Sequence, residues 1–206
     1  MNESEVEALA YAEFWDERYS KAGEEPTHEW FRSFDALEPF FKKHLFTKPH
    51  DARILHLGSG DSSIPSDLQS RGYTNQLCID FSSVVVNLMS TRSTVEWKCG
   101  DVRNMDIPSS SVDVAFDKGT LDAMIHGSPW NPPEDVKENA SKYMDEVRRV
   151  LKDDGVFLYI TYRQPHFVKP LLGEWKLEME VLGGGDSFDY YGFILGKPLS
   201  VHTRRN

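Results

Sequence analysis

The feature that most constrains the fold of this chain is an alternation of short apolar runs with helix-like stretches from about Arg53 onwards. The apolar runs are short and bounded by turn residues, which is typical of buried strands. The predicted strands are Ile54–Leu57, Gln76–Phe81, Val95–Cys99, Val112–Phe116 and Gly155–Tyr162. Strands that alternate with helices predict parallel βαβ units. We therefore expect an α/β fold, with a mostly parallel sheet covered by helices on both faces.

The longest predicted helix covers Glu134–Lys152, where apolar residues recur at i, i+3, i+4 and i+7. Asn131 is expected to cap this helix, with proline in its first turn. Two more helices are predicted ahead of the sheet, at Val6–Lys21 and Phe34–Leu45. In the first of them, an aromatic residue recurs every four positions and would form a stripe on one helix face. The stripe consists of Tyr11, Trp15 and Tyr19.

The C-terminal part predicts a β-hairpin. Leu177–Leu182 and Phe188–Leu195 are strand-like, and the Gly-rich segment Gly183–Asp186 between them is a turn signal. The sheet should therefore finish with an antiparallel strand.

A glycine turn follows the first predicted strand and precedes a helix. Gly58 and Gly60 would let the backbone approach a ligand closely. Asp80 ends the next strand, 20 residues after Gly60, where a carboxylate can accept hydrogen bonds from both hydroxyls of a ribose. We expect this carboxylate to be exposed at the sheet edge. The third glycine of the dinucleotide-binding pattern is replaced by Ser63, which argues against a nicotinamide oxidoreductase.

A second carboxylate closes the third predicted strand. Asp101 can accept a hydrogen bond from an exocyclic adenine amine while the backbone N–H of Val102 donates to a ring nitrogen. Together with the ribose acid and a glycine turn without a phosphate loop, this points to S-adenosylmethionine. Taken singly, Asp80 and Asp101 could equally be helix or turn caps.

The charge balance limits the possible partners. The chain has 206 residues, a formal net charge of −10 and two cysteines. An acidic surface disfavours nucleic acid and favours a basic partner. There is no apolar run of the roughly 20 residues that a membrane span needs. The acidic N-terminal residues suit neither a secretory signal nor a transit peptide, so a cytoplasmic location is expected. Two cysteines and unclustered histidines predict no metal site.

Four blocks of the sequence match the motifs of a known family. They are Ile54–Gly60, Ile79–Val86, Gly100–Val102 and Asp117–Ala123. In this order they resemble the class I S-adenosylmethionine-dependent methyltransferases, and more narrowly the eukaryotic lysine methyltransferases of translation elongation factor 1 alpha. The resemblance implies a Rossmann-like, seven-stranded sheet with a reversed last strand. It implies one methyltransferase domain over 1–206, with an N-terminal helical lid (1–50), a core (51–197) and a tail (198–206).

Together, the glycine turn and the resemblance provide the cofactor-binding candidates. These are Trp15, Tyr19, Trp30, Gly58, Ser59, Gly60, Asp80, Phe81, Asp101, Val102 and Lys118. The resemblance also implies a basic protein substrate, with elongation factor 1 alpha as the first candidate, and we expect a monomer.

Two acids beyond the fourth predicted strand, Asp117 and Asp122, are the candidates for orienting the acceptor amine. The Pro-rich stretch 126–139 is expected at the substrate rim. Two alternatives remain open: a small-molecule methyltransferase with the same cofactor site, and a catalytically silent cofactor-binding module.

Overall fold

A computed structural model describes residues 3–22, 28–183 and 188–198 of the chain. Seven strands form one sheet in the order β3-β2-β1-β4-β5-β7-β6. Strand β7 is antiparallel to both of its neighbours, and the other adjacent pairs are parallel. The strands are β1 (Ile54–Leu57), β2 (Gln76–Asp80), β3 (Glu96–Cys99), β4 (Val112–Lys118), β5 (Leu151–Thr161), β6 (Lys176–Leu182) and β7 (Tyr190–Gly196). The predicted α/β class and the reversed last strand are confirmed.

Eight helices accompany the sheet within the described ranges. They are α1 (Glu3–Ala8), α2 (Ala12–Ala22), α3 (Phe34–His44), α4 (Ile64–Ser70), α5 (Ser83–Arg92), α6 (Thr120–Met124), α7 (Glu134–Val150) and α8 (Pro165–Leu172). None of these helices is long and apolar enough to cross a bilayer.

Helices cover both faces of the sheet because alternate residues of each strand point to opposite sides. On β5, Phe157 and Tyr159 join the core beneath α6, α7 and α8, whereas Leu158 and Ile160 join the core beneath α3 and α4. A third, smaller cluster packs Tyr19 of α2 against α5. The N-terminal segment is thereby held close to the carboxyl ends of the parallel strands.

The predicted first helix is wrong in one respect, because it is two helices separated by a turn at residues 9–11. In this turn the carbonyl of Leu9 accepts a hydrogen bond from the indole nitrogen of Trp15 at 2.8 Å. Tyr11 therefore lies outside α2 and is exposed, so the predicted three-membered aromatic stripe reduces to Trp15 and Tyr19.

The bounds of α7 also differ from the prediction. The helix begins at Glu134, with extended Pro133 as its N-cap residue and no side-chain cap, so the expected cap by Asn131 and the expected proline in the first turn are both wrong. The fixed φ of proline keeps the chain extended up to this point. At its other end the helix stops at Val150, because Leu151 already pairs with Val112 in the sheet. The predicted C-terminal hairpin is present as β6 and β7, although Gly184–Asp186 of its turn lie outside the described residues.

Candidate active site

A cavity of about 390 Å³ lies at the carboxyl edge of the parallel strands. Ligands of open α/β sheets bind at this edge. The cavity is lined by all of the residues that the sequence predicts as cofactor contacts, which are Trp15, Tyr19, Trp30, Gly58, Ser59, Gly60, Asp80, Phe81, Asp101, Val102 and Lys118. The structure therefore brings these eleven positions together, although they are spread over 104 residues of sequence.

The glycine turn after β1 has a geometry that requires glycine. Gly58 and Gly60 have φ values of +58° and +54°, which lie in the left-handed region. A Cβ on Gly58 would lie 2.1 Å from Oγ1 of Thr120, whose hydroxyl donates to the carbonyl of Leu57 at 2.7 Å. A Cβ on Gly60 would lie 2.8 Å from the hydroxyl oxygen of Tyr19. Backbone without side chains thus forms one wall of the cavity.

Asp80 is held firmly at the end of β2. Its two carboxylate oxygens accept hydrogen bonds from the backbone N–H groups of Gly60 and Ser82, each at 2.9 Å. The residue is only 4% exposed, so the expectation of an exposed carboxylate is wrong. Asp80 is covered because α2 lies over this end of the sheet and Tyr19 is buried beside the turn. Burial raises the pKa of Asp80 to about 6, and the neighbouring carboxylates of Asp16 and Asp61 add to this shift.

Asp101, after β3, is paired with an arginine that sequence reasoning missed. The guanidinium of Arg103 donates to both carboxylate oxygens of Asp101, at distances from 2.7 to 3.1 Å, and also to Oδ1 of Asn139 at 2.8 Å. Partial burial alone would raise the pKa of Asp101, but the hydrogen bonds from Arg103 outweigh it and hold the pKa below its usual value. The carboxylate is therefore charged and fixed in direction at the cavity wall.

The N-terminal segment closes the cavity with aromatic rings. Trp15 stacks on Tyr19 with ring centroids 5.8 Å apart and meets Trp30 edge-on at 5.9 Å. The guanidinium of Arg18 lies over the Trp30 ring, 4.9 Å from its centroid, and lines the cavity. Among the described residues, no carboxylate forms an ion pair with Arg18. Arg18 thus places a cation at the cavity wall.

Lys118 connects this segment to the sheet. Its ammonium donates to the carbonyl of Trp30 at 2.6 Å and lies 2.9 Å from Oε2 of Glu29. The other oxygen of Glu29 accepts hydrogen bonds from the hydroxyl of Ser62, at 2.7 Å, and from the backbone N–H of Ser63. Burial lowers the pKa of Lys118, and the carboxylate of Glu29 opposes that shift. Glu29 lies in a loop without helical or strand periodicity, and its position directly before the predicted cofactor contact Trp30 is the one sequence signal for it.

The two candidate acids have different environments. Asp122 lines the cavity, and its carboxylate accepts hydrogen bonds from the hydroxyls of Tyr159 and Thr161 at 2.7 and 2.6 Å. Asp117 is fully buried and is not among the described residues that line the cavity. It accepts hydrogen bonds from Tyr143 Oη and from the backbone N–H groups at the start of α6. Burial raises the pKa of Asp117 to about 7 and that of Asp122 to about 6.

His56 is a further cavity residue that sequence reasoning did not single out. Its Nε2 lies 2.7 Å from Oε1 of Gln76, while the Gln76 amide nitrogen donates to the carbonyls of Pro65 and Tyr73. This arrangement makes His56 Nε2 the donor to Gln76. Burial lowers the pKa of His56 to about 4, so the ring is neutral at physiological pH. Among the described residues, no group of three or more His, Cys, Asp or Glu side chains is arranged to hold a metal ion.

Comparisons with known proteins place the chain in a family. A family described as a methyltransferase domain matches residues 55–159. EEF1A lysine methyltransferase 4 of Bos taurus is 35% identical over 92% of this chain and 77% of its own length. The eEF1A lysine and N-terminal methyltransferase of Bos taurus is 29% identical over 81% of this chain and 23% of its own length.

A solved structure shares the fold. The 1,6-didemethyltoxoflavin-N1-methyltransferase of Burkholderia thailandensis, solved with S-adenosylhomocysteine, superposes with a TM-score of 0.63 at 13% identity and covers 96% of this chain and 91% of its own. The cavity fits S-adenosylmethionine because a bare glycine turn, a fixed carboxylate at Asp80 and aromatic rings converge in it. The chain therefore belongs to the class I S-adenosylmethionine-dependent methyltransferases, in the group that contains the lysine methyltransferases of translation elongation factor 1 alpha.

Proposed function

We propose that this chain methylates a lysine of translation elongation factor 1 alpha. The observation that carries the proposal is its 35% identity, over nearly the whole chain, to a relative named for that activity, together with a cavity formed by all of the predicted cofactor contacts. The net charge of −10 suits a basic protein substrate.

The cofactor-binding roles follow from the positions of charge in the cavity. We assign the ribose hydroxyls to Asp80, and the adenine ring to Asp101 and the backbone N–H of Val102. The glycine turn faces the amino-acid part of the cofactor, whose carboxylate needs a cation. Lys118 is already engaged with Glu29, whereas Arg18 has no carboxylate partner among the described residues. We therefore assign the carboxylate to Arg18, held in position by the face of Trp30.

The substrate end of the cavity lies beside α6. Asp122 and Met124 line it there, and Tyr162 and Phe31 stand at its mouth with ring centroids 5.3 Å apart. A lysine side chain that enters between aromatic rings loses water, which disfavours its charged form and promotes release of the proton. Asp122 is the one carboxylate at this end that is also fixed by two hydroxyls, and we assign it to orienting the amine and attracting the proton.

When bound, S-adenosylmethionine supplies a methyl group activated by its own sulfonium. The chain then has to align the amine nitrogen with that methyl, exclude water and accommodate the proton that the amine gives up. The enclosing N-terminal segment and the fixed wall at Asp122 provide this alignment, because their side chains are already held by hydrogen bonds.

The proposal is tested by incubating the purified chain with radiolabelled S-adenosylmethionine and purified elongation factor 1 alpha, beside a whole-cell lysate. The proposal is supported if the wild type labels the elongation factor and the Asp80→Asn variant does not. Mass spectrometry then identifies the methylated lysine. If only other lysate proteins are labelled, the chain is a protein methyltransferase with a different substrate. No labelled protein, with S-adenosylhomocysteine still bound, indicates a small-molecule methyltransferase or a silent module.

We also propose that the chain works as a monomer and in the cytoplasm, where the proposed substrate acts. Light scattering after size-exclusion chromatography and microscopy of a tagged chain test these two points.

A further inference from the structure

The most exposed large apolar side chain in the described part of the protein is Trp130, which is 80% accessible. It lies in the Pro-rich stretch between α6 and α7, which the cofactor site does not use. Tryptophan has the largest apolar surface of any side chain, so leaving it in water forgoes the free energy of burying it. A tryptophan held in this state at the edge of an enzyme site is a candidate contact for a partner.

The position of Trp130 links two segments of the cavity mouth. Its loop leaves α6, where Ala123 and Met124 line the cavity. Its ring meets Phe167 edge-on, with centroids 4.9 Å apart, and α8, which carries Phe167, follows the cavity residue Tyr162. These segments come after the carboxyl ends of β4 and β5, so Trp130 lies at the edge of the sheet where the cavity opens.

The loop that presents Trp130 is braced. Gly127 has a φ of +71°, and a Cβ on it would lie 2.8 Å from Cγ of Pro133, so the loop folds back tightly on itself. The ring of His126 lies 3.1 Å from the carboxylate of Asp135 in the first turn of α7. Because the loop is held at both ends, a partner would lose little free energy in ordering it.

The charges beside Trp130 indicate the chemistry of that partner. The start of α7 carries three exposed carboxylates, at Glu134, Asp135 and Glu138. Glu134 pairs with Lys137 and Glu138 pairs with Lys142, but both ion pairs are solvent-exposed and therefore weak, so a cation of the partner can compete for these carboxylates. Lysine and arginine side chains bind the face of a tryptophan by cation–π attraction, and carboxylates nearby strengthen this preference. The chain as a whole has a net charge of −10, which steers a basic partner toward it.

We propose that Trp130 and the acidic start of α7 form a docking surface for a lysine- or arginine-bearing segment of the protein substrate, outside the segment that enters the cavity. This proposal rests on the proposed function, since it requires a protein as methyl acceptor. In this proposal the Pro-rich loop selects the protein substrate and takes no part in methyl transfer.

Steady-state methylation of purified elongation factor 1 alpha tests the docking surface. We expect Trp130→Ala to raise KM for the protein about tenfold or more while kcat and the affinity for S-adenosylhomocysteine stay unchanged. Trp130→Phe should recover part of the loss. Glu134→Lys should raise KM as well, whereas the matched control Asp153→Lys should not, because Asp153 is fully exposed at the amino end of β5, the opposite edge of the sheet.

Direct binding of the elongation factor to immobilised chain, measured by interferometry, separates the two proposals. If the wild type methylates the factor and Trp130→Ala leaves KM and binding unchanged, the docking surface is overturned and the proposed function stands. If the wild type does not methylate the factor but binds it in a Trp130-dependent way, the proposed function falls, and with it the role of the surface in substrate selection, although Trp130 still binds a basic protein. Neither methylation nor Trp130-dependent binding overturns both.

Discussion

The ammonium of Lys118 lies 2.9 Å from the carboxylate of Glu29, and this ion pair joins the end of β4 to the segment that covers the cavity. Lys118→Met leaves the Glu29 carboxylate without its cation in a mostly buried position. We expect the free energy of unfolding to fall by about 3 kcal/mol, as measured by urea denaturation. Lys118→Met combined with Glu29→Gln should recover much of that loss. Strictly additive losses would show that the two groups do not interact.

The carboxylate of Asp80 predicts a pH-dependent affinity for the cofactor. Its pKa in the ligand-free chain is about 6 because of burial. In the proposed assignment the ribose hydroxyls donate to its charged form. As the pH falls through 6 the carboxylate takes up a proton, so the affinity for S-adenosylhomocysteine should weaken by up to about tenfold per pH unit. Calorimetry from pH 5 to pH 8 measures this profile. With Asp80→Asn, binding should be weak and the profile flat over that range; an unaltered profile would remove Asp80 from the site.

Arg18 is predicted to bind the cofactor carboxylate, and a truncated ligand isolates this contact. Arg18→Met should weaken binding of S-adenosylhomocysteine about tenfold or more, because an ion pair in a cavity is lost. Methylthioadenosine lacks the amino-acid part, so its affinity should be the same for the variant and the wild type. Asp80→Asn is the matched control and should weaken both ligands. If Arg18→Met weakens the affinity for both ligands equally, Arg18 does not bind the cofactor carboxylate.

The two acids beyond β4 should separate in kinetic and stability measurements. Asp122 lines the cavity, so Asp122→Asn should lower kcat about a hundredfold with little change in cofactor affinity. Asp117 is bonded only within the protein core, so Asp117→Asn should lower the free energy of unfolding by about 2 kcal/mol and leave kcat per folded molecule near that of the wild type. The reverse pattern would exchange their assignments.

The sequence predicts best those features that follow from the regular geometry of strands. Asp80 and Asp101 each come directly after a short apolar run, and the carboxyl ends of parallel strands meet at one edge, so their convergence could be expected from spacing alone. The core strands were predictable for the same reason, because their apolar runs are bounded by turn residues.

Contacts between distant segments could not be predicted from the spacing of apolar runs. Glu29 is defined by its distant partner Lys118. Arg103 lies only two residues from Asp101, and its distant contact is Asn139. The break before α2 is accompanied by an indole hydrogen bond from Trp15 to the carbonyl of Leu9, a contact that apolar periodicity does not record. Likewise, the burial of Asp80 depends on where α2 lies, not on the residues around it.

The turn at residues 9–11 has a consequence for the order of events in catalysis. It directs α1 toward α6, beside Asp122, while α2 packs against α5, beside Asp80. One N-terminal segment therefore borders both the Asp80 end and the Asp122 end of the cavity. A protein seated at the mouth would cover this segment and the cavity beneath it, so S-adenosylmethionine should enter first and the methylated protein should leave before S-adenosylhomocysteine. Such a compulsory sequence makes S-adenosylhomocysteine a competitive inhibitor against the methyl donor and a noncompetitive one against the protein.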